Sequence, residues 1–152
     1  MAKARGLTVC ALTVLCLALL APAPAMAGRS DGAQMVRQLN KVRSKHHLTP
    51  FRTSGKLQRS SSRFATWLQR HDTFAHRGRV HASGFRRLGE ALGLHAGRGL
   101  GVRGTVRHWL RSPTHRALVL SGSMRYVGAS AAPGRFRGGR ATIWVLHLGG
   151  KH

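Results

Sequence analysis

The chain has 152 residues, and its 26 Lys and Arg residues against 3 Asp and Glu residues give a formal net charge of +23. That length predicts one globular domain. Apolar residues make up 42% of the chain, which is too many for a disordered polycation. Asp31, Asp72 and Glu90 are the only carboxylate side chains, so an oxygen-rich Ca²⁺ cage and the paired carboxylates of a glycosidase are both disfavoured.

The N-terminal segment has the features of an export signal. Basic residues stand at positions 3 and 5, residues 7–20 are largely apolar, and the triplet Ala-Met-Ala at 25–27 has the small-x-small pattern of a signal-peptidase site. We therefore predict a signal peptide over residues 1–27 and a single domain over residues 28–152. An uncleaved N-terminal anchor is the alternative.

Removal of this segment would change both the cysteine content and the charge. Cys10 and Cys16 would be lost, so the mature domain could not form disulfides. Without Lys3 and Arg5, 24 basic residues would face 3 acidic ones, a net charge of +21. Such a charge attracts anionic cell-wall or extracellular polymers, anionic lipid surfaces and nucleic acid without specificity. A merely solvated basic surface is the alternative, and no zinc-finger spacing or RNA-binding sheet signature predicts specific nucleic-acid binding.

Two amphipathic helices are predicted in the first half of the domain. The first begins with the capping pair Asp31 and Gln34 and ends near Lys45. The second is capped by Ser54 and ends near His71. Their apolar faces contain Met35, Leu39 and Val42 in the first helix, and Leu57, Phe64, Ala65 and Leu68 in the second.

The second half combines short helices with strands. Residues 88–94 are predicted as a strand, and residues 105–110 as a third helix whose Trp109 packs on the second helix or on the sheet. Ser112-Pro113 predicts a fourth helix, because Ser favours the cap and Pro the first helical position. Two strands and their Gly- and Arg-rich connection close the chain, at residues 125–131, 141–148 and 133–140. The predicted class is α+β.

Several short motifs follow one another in a specific order. They are Leu39-Asn40-x-x-Arg43, Leu48-Thr49-Pro50-Phe51, Phe74-x-His76, Gly89-Glu90, Trp109-Leu110-x-Ser112-Pro113-x-His115-Arg116 and Tyr126-Val127-Gly128. In this order the chain resembles the CAP superfamily (cysteine-rich secretory proteins, antigen 5 and pathogenesis-related-1, or SCP domain), in its cysteine-free bacterial secreted branch. The resemblance spans about residues 35–148. It implies a three-layer α-β-α sandwich around a small three-stranded antiparallel sheet.

The resemblance also implies a central cleft with two histidines and two acidic residues. His76 and His115 match the two family histidines, and Glu90 matches the glutamate of the family's Gly-Glu-Asn motif. Ala91 replaces the usual Asn of that motif, and Ser112 stands at the second acidic position. The resemblance therefore implies a His-Glu-His cleft in this chain.

Two imidazoles and one carboxylate suit a divalent metal such as Zn²⁺ or Cu²⁺ and leave a position open for water. Asp72 and Ser112 are expected to support these ligands from outside. A metal-free hydrogen-bonded cluster is the alternative.

A hydrolase that uses Ser112 or Ser83 with His115 and Glu90 is the second function considered. Ser112 is better suited to a helix cap, and the sequence has no nucleophile-elbow motif. We predict instead a secreted, monomeric, non-enzymatic domain that binds an unidentified small ligand or anionic surfaces.

Overall fold

The computed structural model describes residues 25–97 and 101–151. The helices and strands, in chain order, are α1 (Ala25–Lys45), β1 (Arg52–Thr53), α2 (Gly55–Arg70), β2 (Arg87–Ala96), α3 (Gly101–Arg111), α4 (Pro113–Val119), β3 (Tyr126–Phe136) and β4 (Gly139–Gly150). Most of the predicted signal peptide, including Cys10 and Cys16, lies outside these residues. Within the part described, no helix combines the length and the apolar character needed to cross a membrane.

The sheet has four strands in the order β1-β3-β4-β2. β4 pairs antiparallel with both β3 and β2, whereas β1 pairs parallel with β3. The α+β class is confirmed, but the expectation of three antiparallel strands is wrong by one strand. β1 has only two residues, Arg52 and Thr53, and so short a segment shows no alternation that a sequence pattern could reveal.

The central strand β4 separates two apolar clusters. Trp144, Leu146 and Leu148 pack with buried residues of α1, α3 and α4. Ile143 and Val145 pack with Phe64, Ala65 and Leu68 of α2. Because successive side chains of a strand point to opposite faces, helices cover the sheet on both sides.

The β3–β4 connection is tighter than predicted. Arg137 and Gly138 both have positive φ, 47° and 79°, as in the two-residue type I′ turn that matches strand twist. The strands therefore continue to Phe136 and from Gly139, and the predicted long connection over 133–140 is wrong. Gly138 allows this turn without a side-chain clash.

Helix starts also differ in detail from the predictions. α1 begins at Ala25, upstream of Asp31 and Gln34, so this pair does not cap it. Ser54 and Ser112 precede α2 and α4 as predicted, but neither hydroxyl makes the capping hydrogen bond. The Ser112 backbone carbonyl accepts the Arg116 N–H at 2.8 Å.

A fully buried arginine, Arg43, ties α1 to the end of α4 and to the segment that follows it. Its guanidinium donates to the carbonyl oxygens of Val119 (2.7 Å) and Ser121 (2.9 Å) and lies 3.9 Å above the Phe51 ring. Burial, followed by the nearby charge of Arg125, lowers the pKa of Arg43. Backbone carbonyl dipoles, and no carboxylate, therefore solvate this charge.

Candidate functional site

Three side chains meet on the outer strand β2 and form what we call the Glu90 cluster: His76, Glu90 and His147. Glu90 Oε1 lies 2.8 Å from His76 Nδ1, and Glu90 Oε2 lies 3.0 Å from His147 Nε2. Oε1 also accepts the backbone N–H of Arg77 at 3.0 Å. An ionised carboxylate can only accept, so both imidazole nitrogens that face it carry the proton.

Sheet register and helix packing place these groups. Glu90 of β2 is directly opposite His147 of β4. His147 shares the face of Ile143 and Val145, where its ring stacks on Phe64 of α2 at 6.1 Å between centroids. His76 comes from the loop between α2 and β2, and its side chain is 60% exposed while that of Glu90 is 6% exposed. The cluster thus runs from the core to solvent.

The electrostatic state of Glu90 follows from two opposed effects. Burial acts to raise the pKa of this carboxyl, but hydrogen bonds from His147, His76 and the Arg77 N–H together lower the pKa below its usual range. Glu90 is therefore ionised at neutral pH. Since both of its oxygens already accept hydrogen bonds, it is poorly placed to remove a proton from a substrate.

His115 lies on α4, which packs with the apolar cluster on the sheet face opposite α2. Its Nδ1 is buried and has no hydrogen-bond partner among the residues described. Burial, followed by the charges of His76 and His108, lowers the pKa of His115. The structure therefore joins His76 to Glu90 as expected, adds His147, and places His115 within electrostatic range of His76 without a hydrogen bond to Glu90.

The remaining sequence candidates lie elsewhere. Asp72 accepts the backbone N–H of Arg137 in the β3–β4 turn, and Ser112 precedes α4. The Ser83 hydroxyl accepts from Lys56 Nζ at 3.2 Å. In residues 31–97 and 101–151, no serine hydroxyl is hydrogen-bonded to a histidine ring.

A metal would have few free ligands here. Among residues 25–97 and 101–151, no three His, Cys, Asp or Glu side chains are grouped as a metal site. Glu90 already accepts three hydrogen bonds. His76 contacts it through Nδ1, so His76 Nε2 is not bonded to the carboxylate, and the buried Nδ1 atoms of His115 and His147 have no hydrogen-bond partner in the described structure. Metal binding by His76, Glu90 and His115 stays a prediction.

Two clefts open beside the Glu90 cluster. The larger, about 970 Å³, includes His76, Arg77, His81 and Glu90 in its lining. The smaller, about 250 Å³, is lined by aromatic residues of α2 together with His76 and Arg77. Ligands of either cleft would meet an imidazole and a guanidinium before they meet the buried carboxylate.

Comparison with known proteins decides the family. The chain matches CAP, described as the Cysteine-rich secretory protein family, over residues 36–148. The chain belongs to the CAP family. The resemblance noted in the sequence motifs is thereby confirmed.

Solved structures support the same fold for this CAP domain. An outer surface protein from Borrelia burgdorferi is 17% identical, with a TM-score of 0.66, and the match covers 82% of this chain and 95% of that one. An extracellular protein containing a SCP domain from Bacillus anthracis is 16% identical, with a TM-score of 0.64 over 82% of this chain and 41% of that chain. NaASP2 with Zn²⁺ is 11% identical, with a TM-score of 0.63 over 83% of each chain. No curated protein sequence matches the CAP domain.

His147 is not among the site residues that the sequence motifs singled out. The signal was nevertheless present in β4. His147 has the same parity as Ile143 and Val145 in a strand that is apolar on both faces, and a polar residue at such a position is buried with a partner. The partner itself could not be identified from spacing.

Proposed function

We propose that this CAP domain is an exported, non-enzymatic module that binds anionic polymers and surfaces through its basic exterior. The proposal rests on one observation: in the described structure the positive charges of Lys and Arg are not paired with carboxylates. In the described part of the chain, both ion pairs join Glu90 to histidines, and Asp72 is bonded to a backbone N–H. No Lys or Arg there is neutralised by a carboxylate, so an external anion has many unpaired cations to bind.

Two further observations support the non-enzymatic and exported parts of the proposal. Glu90 is held by three hydrogen bonds. No serine hydroxyl is hydrogen-bonded to a histidine ring among the described side chains, and both observations argue against a hydrolase built from these groups. Two of the similar structures are described as an outer surface protein and an extracellular protein. The leader-like residues 1–27 of this chain agree with that location.

Polyanion binding is tested by its dependence on salt. We expect retention on immobilised heparin and on immobilised polyphosphate, falling steeply as NaCl rises from about 50 to about 200 mM, because bound counterions are released on association. The two chemically different polymers should show similar slopes. Retention that does not respond to salt would contradict the proposal and would point to a largely uncharged ligand.

A second candidate function, metal binding, is supported by the unpartnered His115 Nδ1 and by the Zn²⁺ in the NaASP2 structure. His76 and His115 would hold the ion, which would act as a Lewis acid toward a ligand in the cleft. Titration calorimetry with Zn²⁺ and Cu²⁺ should show binding that strengthens as pH rises and the imidazoles lose their protons.

Two variants make this titration specific. Loss of heat in both His76→Ala and His115→Ala, in variants that remain folded by circular dichroism, would support a shared site. Heat that persists in both variants would assign the ion to surface histidines such as His46 and His47. No heat in the wild-type protein would leave a metal-free cleft.

A further inference from the structure

One end of the sheet collects basic residues from all four strands. Arg52 belongs to β1 and Arg87 to β2, Arg125 immediately precedes β3, and Lys151 immediately follows β4. The backbone brings them together: the Arg52 N–H donates to the Arg125 carbonyl at 2.9 Å, and the Arg125 N–H donates to that of Gly149 at 3.0 Å. These four residues are far apart in the sequence, and they come together only because the strands pair.

These four residues line a pocket of about 500 Å³, the strand-end pocket, together with Gly122, Ser123 and Tyr126. Its lining contains no acidic side chain. The four basic residues are exposed, so their charged groups can reach a ligand without further movement of the core.

Glycine at the end of β4 allows this convergence. A Cβ at Gly150 would lie 2.4 Å from the Ser123 carbonyl oxygen and 3.6 Å from the Arg87 Cβ. A side chain at position 150 would therefore clash with the Ser123 carbonyl, whereas its contact with Arg87 would be an ordinary one. The close approach holds Gly122 and Ser123, which line the strand-end pocket, against the end of β4.

A second basic pocket continues the first. It measures about 410 Å³, shares Tyr126 and Lys151 with the strand-end pocket, and adds Lys56 and Arg59 of α2. Lys151 Nζ lies 5.0 Å from the centre of the Tyr126 ring. Lys56 Nζ is fixed by Ser83, whose carbonyl oxygen is 3.3 Å away. We call the two pockets together the basic trough; it contains Arg52, Lys56, Arg59, Arg87, Arg125 and Lys151.

We propose that the basic trough binds consecutive phosphate groups of an anionic polymer. One phosphate would be held by Arg52, Arg87 and Arg125, and the chain would continue past Lys151 toward Lys56. Guanidinium groups present paired N–H donors that match two oxygens of a tetrahedral oxyanion. This assignment rests on the polyanion binding proposed above. It adds that phosphate polymers bind most strongly, and that they bind in the basic trough.

The shape and lining of the trough favour a polymer over a lipid surface. Two joined pockets accept a chain of anions, whereas one phosphate would fill only part of the first. A peripheral membrane site normally combines cations with apolar side chains that enter the bilayer. The large hydrophobic side chains exposed in the described structure are Trp67 and Phe74, and neither lines the trough.

The test compares two variants with the same loss of charge. Arg52→Gln/Arg87→Gln removes two cations of the trough, and Arg103→Gln/Arg107→Gln removes two exposed cations of α3 as the control. Binding of polyphosphate to the purified proteins is measured by titration at about 50 mM salt. We expect the trough variant to lose about tenfold or more in affinity and the control less than about threefold, because both lose the same long-range attraction but only one loses direct phosphate contacts.

The outcomes separate the trough from the general proposal. Equal losses in the two variants would overturn the trough while leaving polyanion binding intact. Absence of binding by the wild-type protein would overturn both. Tighter binding to phosphatidylglycerol vesicles than to polyphosphate, with the trough variant again the weaker, would replace the polymer by a lipid headgroup and so overturn the ligand assignment.

A third variant guards against a folding defect. Lys151→Gln changes an exposed residue beyond the last strand and should reduce affinity for polyphosphate by about two- to threefold with unchanged thermal unfolding. Inorganic phosphate alone should compete only weakly, and affinity should rise with polymer length. Affinity independent of length would contradict consecutive phosphate sites.

Discussion

Glu90 is the buried anion of a protein dominated by cations. Its carboxylate accepts three hydrogen bonds, two from imidazoles and one from the Arg77 backbone. Hydrogen bonds offset the desolvation of this buried charge, and loss of a buried partner would leave the charge uncompensated at high cost. We interpret the Glu90 cluster first as a means to hold the 74–77 segment against the sheet.

The lowered pKa of Glu90 predicts how stability changes with acid. The unfolded carboxyl takes up a proton near its ordinary pKa of 4.5, while the folded one stays ionised to lower pH. The contribution of Glu90 is therefore complete above about pH 5 and is lost as pH falls through the lower folded pKa. Glu90→Gln should cost about 2 kcal/mol or more at pH 7, and this difference should shrink between about pH 5 and pH 3.

Urea unfolding of both proteins across that range measures the effect. Asp31→Asn is the control, because neither ion pair of the described structure involves the Asp31 carboxylate, so this variant should leave the pH dependence unchanged. A difference between wild type and Glu90→Gln that stays constant with pH would contradict proton linkage at Glu90.

The buried His95 and the partly buried His115 add a separate acid sensitivity. Burial lowers the pKa of His95 and of His115 below 6.5. The unfolded chain therefore binds more protons than the folded one once pH falls below about 6.5, and stability decreases there. Because wild type and Glu90→Gln share these histidines, the comparison above isolates the carboxylate.

One large side chain of α3, Trp109, packs this helix against the sheet. Trp109 is fully buried, packs with the cluster on the face of α1 and α4, and donates its Nε1–H to the Leu92 carbonyl of β2 at 2.8 Å. Of the two positions predicted for it, the tryptophan takes the one on the sheet, on the face opposite α2. Its indole thereby also satisfies a backbone oxygen of the outer strand.

Substitution of Trp109 should separate packing from the hydrogen bond. We expect Trp109→Ala to cost about 3–5 kcal/mol through the cavity it leaves, and Trp109→Phe less, since a ring is retained while the Leu92 carbonyl loses its donor. Equilibrium denaturation gives both values. The control is Trp67→Ala, which removes a tryptophan that is 45% exposed and should cost under about 1 kcal/mol. Equal losses of stability in Trp109→Ala, Trp109→Phe and Trp67→Ala would contradict the packing argument.

The helices and strands differed in how well their patterns predicted them. α2 and the central part of β4 were predicted because periodic apolar residues over more than one turn or pleat are a local signal. β1 was missed because two residues show no period. The β3–β4 turn was predicted as a long connection because Gly and Arg are found both in loops and in exposed hairpins. Only the pairing of Phe136 with Gly139 shows that this segment is a hairpin.

For the molecule as a whole, the proposed export would determine where its charge acts. We expect cleavage after Ala27, because the small-x-small triplet follows an apolar segment of signal-peptide length. Intact-mass measurement of protein from the culture medium should give the mass of residues 28–152. A secreted species that retains residues 1–27, or protein found only in membranes, would instead indicate an uncleaved anchor.

The order of the helices, the α+β class and the family were predictable from sequence alone, because apolar spacing, turn residues and short motifs are local properties. The Glu90–His147 contact was not, since 57 residues separate the two and only the β2–β4 register makes them opposite. The carbonyl partners of Arg43 lie 76 and 78 residues away along the chain, and residue spacing could not predict them either. The same holds for the basic trough. Each strand or its flanking residue contributes one cation and α2 contributes two. Only the pairing of four strands and the packing of α2 on their sheet set those cations around one proposed ligand site.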